Sequence, residues 1–236
     1  MPTMGLQVIW NIPPLHLHLE RQAKNIYARI KDKIKQTHWG KKKSRFGHLD
    51  ILARYYPDKI DIDKCRKRAK RKLYSIKIPP DKGKIKIDPP LVREIHVYTD
   101  GSKLEGLAGS GVHIQGKEDI CVHLGPKASV FQGEIYAITL GAKALAGQIG
   151  KTITFRSDSQ AALLALDNDV VKNKTTWECH QALNNLGRVN KVQLRWVKAH
   201  IGTTGNEIAD QLAKRGSNPE KERAVLPIPR AEVKQE

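Results

Sequence analysis

Ile95-His96-Val97-Tyr98-Thr99-Asp100-Gly101-Ser102 is the stretch on which the fold turns. Its apolar positions alternate as in a half-buried strand, and it closes on an Asp-Gly pair typical of a chain reversal. Gly109 to Gln115 and Asp119 to Leu124 read as the next two strands, joined by a turn at Gly116, which predicts an antiparallel meander. Ser129-Val130-Phe131-Gln132 then has capping-box form, and Phe131, Ile135, Ile138, Ala142 and Leu145 follow at helical spacing, so a helix is expected to about Gly147. Thr152 to Ser157 reads as a strand delivering Asp158 at its end. A helix to Leu166, a helix over Thr176 to Leu186, a strand over Val192 to Val197 and a closing helix from about Asn206 to Arg215 complete the pattern. Together these predict an α/β fold: a mixed five-stranded sheet, in which a three-stranded meander is followed by two parallel strands, with helices on both faces.

Outward from this core the composition changes. Residues 1–90 hold 23 Lys or Arg against 8 Asp or Glu, a net of +15, whereas residues 91–236 hold 19 against 16, a net of +3. The boundary falls near Pro89-Pro90. Lys64-Cys65-Arg66-Lys67-Arg68-Ala69-Lys70-Arg71-Lys72 is dense enough in charge to contact a phosphate backbone or to serve as a nuclear-import signal. Ahead of it, Leu19, Ala23, Ile26, Ile30 and Ile34 define one amphipathic helix, about residues 14–36, whose apolar stripe has no obvious partner among the basic residues that follow. The expected organisation is a basic connector over 1–90 (helix, then linker), a folded domain over 91–218, and a flexible tail over 219–236.

The chain has 236 residues, 39% of them hydrophobic, with a mean hydropathy of -0.50, enough for one substantial core. No run approaches the roughly 18 apolar residues of a membrane span, and Met1 to Pro14 lacks the layout of a signal peptide. An intracellular protein, in nucleus or cytoplasm and without membrane contact, is expected. Cys65, Cys121 and Cys179 are odd in number and far apart, with no C-x-x-C pair, so neither a disulfide framework nor a zinc ribbon is indicated.

Four carboxylates occur in order: Asp100 in Thr99-Asp100-Gly101-Ser102, Glu134 in Gln132-Gly133-Glu134, Asp158 in Ser157-Asp158-Ser159-Gln160, and Asp210 in Asn206-Glu207-Ile208-Ala209-Asp210. Each lies at a strand end or on a helix beside apolar residues. Glu134 sits between Phe131 and Ile135 on the apolar face, an expensive position for a carboxylate unless a cation or partner receives it. Singly, each reads as a turn, cap or solvated helix residue; jointly they read as a divalent-metal site acting on phosphodiesters. Trp196 is expected in the core.

These motifs, with the long final run Lys198-Ala199-His200-Ile201-Gly202-Thr203-Thr204-Gly205-Asn206-Glu207-Ile208-Ala209-Asp210, resemble the type 1 ribonuclease H domain over roughly residues 93–217. The resemblance implies that Asp100, Glu134, Asp158 and Asp210 bind two magnesium ions, with manganese as a substitute, and that His200 assists at the leaving group. It implies hydrolysis of the RNA strand of an RNA/DNA hybrid, leaving 5′-phosphate and 3′-hydroxyl ends, by a monomer. Candidate strand contacts are Gly101, Ser102, Gln132, Ser159, Gln160 and Asn206. The chain departs from the family at Val130 and Phe131, where many members carry asparagines that meet sugar hydroxyls, and the basic handle of some cellular members is absent. The basic front segment is the expected substitute. Leu6 to Ile34 resembles the segment joining reverse transcriptase to ribonuclease H in insect non-LTR retrotransposons, which would supply a reverse transcriptase partner for the apolar stripe. A catalytically silent nucleic-acid-binding module is the alternative. A transposase or integrase is disfavoured because those enzymes place a glutamate last, where this chain has Asp210.

Overall fold

The computed structural model describes residues 61, 63–69, 71–79, 94–199 and 204–229. The expected helix at about 14–36, with the rest of residues 1–60, and His200 lie outside the described residues. Asp63–Pro229 forms one compact unit.

Two short strands, β1 (Lys67–Arg68) and β2 (Tyr74–Lys77), precede the meander of β3 (Glu94–Leu104), β4 (Leu107–Ile114) and β5 (Ile120–Gly125). Helix α1 (Val130–Ala144), β6 (Thr152–Ser157), α2 (Gln160–Asp167), β7 (Val170–Val171), α3 (Lys174–Gly187), β8 (Lys191–Trp196) and α4 (Thr204–Gly216) follow. The main sheet has the order β2-β8-β6-β3-β4-β5, with β2, β8, β6 and β3 parallel and β4 and β5 antiparallel to their neighbours.

The sheet therefore has six strands rather than the expected five. The added strand, β2, comes from the stretch read as linker and pairs with β8 from Tyr74↔Val192 to Lys77↔Arg195. Tyr74, Ile76 and Ile78 alternate with Ser75 and Lys77, a short extended pattern inside basic, proline-interrupted sequence, and the pairing with β8 makes it a strand of the main sheet. Tyr74 is buried, and its hydroxyl meets His180 Nδ1 at 2.8 Å and donates to the Leu166 carbonyl at 3.2 Å.

Strand β3 also extends past the expected end at Asp100. It continues through Ser102 to Leu104, where Glu105 and Gly106, both at positive φ (51° and 80°), make the two-residue hairpin into β4. On its other edge, β3 pairs with β6 only as far as Tyr98↔Arg156. Asp100 thus lies mid-strand beside β4, but in an opening between β3 and β6, at the carboxyl ends of the parallel strands where open α/β sheets bind ligands.

The capping box that starts α1 forms as read: Ser129 Oγ accepts from the Gln132 amide, and the Gln132 side chain accepts from the Ser129 amide, both at 3.2 Å. Helices α1, α2 and α3 cover one face of the sheet, where Val97, Phe155 and Leu194 pack with Ile135, Ile138, Leu163 and Leu183. Each of these is at most 1% exposed, worth roughly 1.5–3 kcal/mol of burial apiece. Helix α4 lies on the opposite face, across β3 and β4.

In the segment expected as a tail, Glu222 to Ala224 lies along β5. His123 donates its amide to Glu222 O (3.0 Å) and accepts from the Ala224 amide (2.8 Å), and Ala224 and Leu226 pack on Ala108, Leu124 and Ala128 while Val225 faces solvent. Among the described residues, no helix is long and apolar enough to cross a membrane.

Candidate metal centre

Asp100 stands on β3, Glu134 in the second turn of α1, and Asp158 just past β6. One carboxylate oxygen from each lies within 4.8 Å of the other two. Asp100 and Glu134 are buried, and Asp158 is half-buried. The Asp210 carboxyl, on α4, is near enough to Asp100 for its charge to raise the Asp100 pKa.

Missing side chains make this convergence possible. A Cβ on Gly101 would sit 2.3 Å from the Glu134 amide nitrogen, so only glycine lets the start of α1 press against β3. Ser110 Oγ fastens the same turn by donating to Gly133 O at 2.7 Å. On the other face, Gly109 and Gly111 let the backbone of α4 rest directly on β4: a Cβ there would fall 2.4 Å from Ala213 O and 2.3 Å from Ala209 O. Gly111 pairs with Asp100 in the ladder, so this close crossing is what brings Asp210 to Asp100.

Asp158 is held from two sides. Trp196 Nε1 donates to its carbonyl at 2.8 Å, and Asn206 Nδ2, on α4, donates to Oδ2 at 3.3 Å. Ser159 caps α2, accepting from the Ala162 amide.

Crowding shows in the electrostatics. Burial pushes Asp100 up to about 7, assisted by the charges of Asp158 and Asp210, and pushes Glu134 up to about 9, assisted by Asp100 and Asp158. The Gly101 amide works against both shifts by hydrogen-bonding each carboxylate. Glu134 Oε2 is buried without a hydrogen-bond partner, a position that costs about 1–3 kcal/mol unless something accepts the lone pairs. A donor set made only of carboxylate oxygens fits a hard divalent cation, and the unsatisfied Glu134 oxygen is where such an ion would be felt most.

The RNase H family model matches residues 93–218, more than half of the chain and all four of these carboxylates. The chain belongs to the RNase H family. It is 30% identical to a Pseudomonas entomophila protein named ribonuclease H over 146 residues, covering 52% of this chain and 92% of that relative. It is 29% identical to the Bordetella pertussis ribonuclease H over 143 residues, covering 52% and 89%. A Mesorhizobium japonicum ribonuclease H is 43% identical over 74 residues, 29% of this chain, and there the chain spans only 40% of the relative's length.

Within this RNase H domain the expected strand contacts separate. Ser102 and Gln160 are half-buried and lie beside the cluster in sequence. Gln132 does not fit the role: it is 1% exposed, and its Nε2 donates to Asp63 Oδ2 (2.8 Å) and to Pro227 O (2.7 Å). The Ser159 hydroxyl serves its helix cap, and Asn206, also buried, orients Asp158. Gly101 contributes its amide to the carboxylates.

Three groups escaped the sequence reading. Trp196 is only half-buried and positions Asp158 through its indole N–H as well as packing on the core. Lys214 places Nζ 2.7 Å from Asp210 Oδ2, a pairing that Asp210-x-x-x-Lys214 spacing on a helix could have announced. Asp63, buried within a basic run, accepts from Gln132 and from the Thr175 amide, and no local signal marks it.

Proposed function

We propose that this RNase H domain is a magnesium-dependent endoribonuclease that hydrolyses the RNA strand of RNA/DNA hybrids and leaves 5′-phosphate and 3′-hydroxyl ends. The observation that carries the reading is the trio Asp100, Glu134 and Asp158 within 4.8 Å, with a Glu134 oxygen buried and unpaired. Asp100, Glu134 and Asp158 would hold one ion, and Asp210, beside Asp100, would contribute to a second. Divalent ions bound there supply positive charge that lowers the pKa of an attacking water and stabilises the departing oxygen.

The protein's part is orientation. The Gly101 amide favours the charged forms of Asp100 and Glu134, Trp196 and Asn206 hold the carbonyl and the carboxylate of Asp158, and α4 carries Asp210 across β3. We assign His200, four positions before the first residue of α4 in the sequence, the task of handling a proton at the leaving group, with Ser102 and Gln160 as contacts to the strands. Val130, exposed at the start of α1, offers no amide to a 2′-hydroxyl, so recognition of the RNA strand is expected to be weaker there. The insect retroelement origin and a reverse transcriptase partner rest on residues 6–34 alone.

The test is a gel assay of the full chain on matched RNA/DNA, RNA/RNA and DNA/DNA duplexes with magnesium. Cleavage confined to the RNA of the hybrid is expected. Asp158→Asn should reduce it by about two to three orders of magnitude with an unchanged circular-dichroism spectrum, since a metal-held charge is worth several kcal/mol at the transition state. Equal cutting by the variant would remove Asp158 from the site, and inertness of wild type on the hybrid would end the reading.

A further inference from the structure

Seven of the nine residues from Lys64 to Lys72 are basic, and such a run is ordinarily a solvated arm. Here its backbone is bound. The Asp63 amide donates to Ile228 O at 2.8 Å, Cys65 to Lys172 O at 2.7 Å and Ala69 to Asp169 O at 2.8 Å, while β1 pairs antiparallel with β7. Ala69 is buried, and Lys67 places Nζ 4.9 Å from the centre of the Trp177 ring, so the ribbon packs on α3 as well.

This stitching leaves Arg66 and Arg68, two residues apart and both exposed, on a fixed β-ribbon seated on the connection between α2 and α3. Farther along the same segment, Arg71 meets Arg188, from the end of α3, in a polar cleft of about 660 Å³ lined also by Leu73, Asn184 and Gly187. Asp63, just before the run, is hydrogen-bonded to Gln132, two positions from Glu134, so the basic segment is tied to the part of α1 that carries one carboxylate of the acidic cluster. Packing explains Ala69 and Lys67. It does not explain the exposure of four arginines, a concentration of positive charge suited to a polyanion.

We propose that Arg66 and Arg68 on the ribbon, with Arg71 and Arg188 at the cleft, form a fixed grip for the phosphate backbone of a nucleic-acid duplex, held outside the acidic cluster and steering the duplex onto it. The identity of the duplex as an RNA/DNA hybrid rests on the preceding functional reading; the grip itself needs only phosphates. A bound backbone also argues against the run acting as a free-peptide import signal.

The experiment uses the full chain, two alanine double variants, Arg66→Ala/Arg68→Ala and Arg71→Ala/Arg188→Ala, and the conservative Arg66→Lys/Arg68→Lys variant. Binding of a labelled hybrid is followed by fluorescence anisotropy in chelator across a salt series, and cleavage is followed separately with magnesium. Each phosphate contact contributes about 0.7–0.9 to the slope of log affinity against log salt, so each alanine double variant should flatten the slope by about 1.5. The catalytic loss should fall mainly on KM, and the Arg66→Lys/Arg68→Lys variant should keep most of the slope. Natively folded alanine double variants with the wild-type slope and KM would overturn the grip while leaving the ribonuclease reading intact. A wild type that binds with a steep slope flattened in the variants, but cuts nothing, would support the grip and overturn the ribonuclease reading.

Discussion

Gly111 lies so close to Ala209 that a Cβ at position 111 would fall 2.3 Å from the Ala209 carbonyl oxygen. The contact joins the strand residue paired with Asp100 to the helix residue next to Asp210, so backbone packing sets the separation of two carboxyls. Gly111→Ala is expected to push α4 off β4 at a cost of about 1–3 kcal/mol, the usual range for overpacking. Hybrid cleavage should fall further than this loss of stability explains, because Asp210 moves with the helix. Urea unfolding with parallel activity measurements decides it; an unchanged midpoint would mean the crossing is looser than described.

What could be read without coordinates follows from how local each signal is. Strands β3, β4, β5, β6 and β8 announce themselves through alternation, and α1 through its capping box, because these patterns are written within ten residues or so. The four carboxylates are legible as an ordered set, and three of them meet within 4.8 Å. Gln132 defeats the same logic. Its amide looks like a surface group, but its partners Asp63 and Pro227 are 69 and 95 residues away, and nothing nearby in the chain reports them. Strand β2 is hidden for a related reason: its hydrogen bonds belong to β8, more than a hundred residues later. Gly109 and Gly111 did carry a usable signal, since glycines within a strand mark close backbone approach, and they point to the α4 crossing.

The acidic cluster makes stability depend on pH in a direction opposite to that of salt-bridged carboxylates. Without divalent ions, folded Asp100 and Glu134 titrate at about 7 and about 9, whereas in the unfolded chain they titrate near 4. The folded state therefore holds protons that the unfolded state has released. The resulting contribution is complete below about pH 4 and is lost as pH rises through about 7 and then about 9. In chelator, the melting temperature should fall across that window, and magnesium should oppose the fall by giving the ionised carboxylates a counter-charge. Glu134→Gln should flatten the upper part of the curve. A melting temperature that rose from neutral to alkaline pH in chelator would contradict the crowded arrangement.

Lys214 supplies Asp210 with a cation of the protein's own. The two side chains are an i,i+4 pair on α4, 53% and 26% exposed, so the bridge is worth well under about 1 kcal/mol and its loss should barely move the melting temperature. Its effect on ion binding should be larger. Asp210 raises the Lys214 pKa by hydrogen bonding and by charge, and Asp100 adds to the same field, which makes the ammonium a competitor for the carboxylates. Lys214→Ala is expected to lower the magnesium concentration for half-maximal cleavage several-fold. An increased requirement would show that the lysine helps to hold substrate phosphate and does not compete with the ion.

A fragment cut to residues 91–218 retains all four carboxylates, and the compact unit predicts that it is still incomplete. It lacks β2, leaving the β8 edge unpaired and the pocket of Tyr74 unfilled, and it lacks Asp63 and Pro227, the partners of the Gln132 amide. An unpaired buried amide alone costs about 1–3 kcal/mol, and it would sit two residues before Glu134. Loss of the packing of Ala224 and Leu226 on Leu124 and Ala128 adds to the deficit. For a domain of this size each kcal/mol corresponds to about 2–4 °C, so the 91–218 fragment should melt about 10 °C or more below a 61–229 fragment. It should also need more magnesium, because the first turns of α1 are no longer anchored. Calorimetry on the two fragments with matched cleavage assays decides the matter; equal melting temperatures would mean that the flanking segments rest on the domain without supporting it.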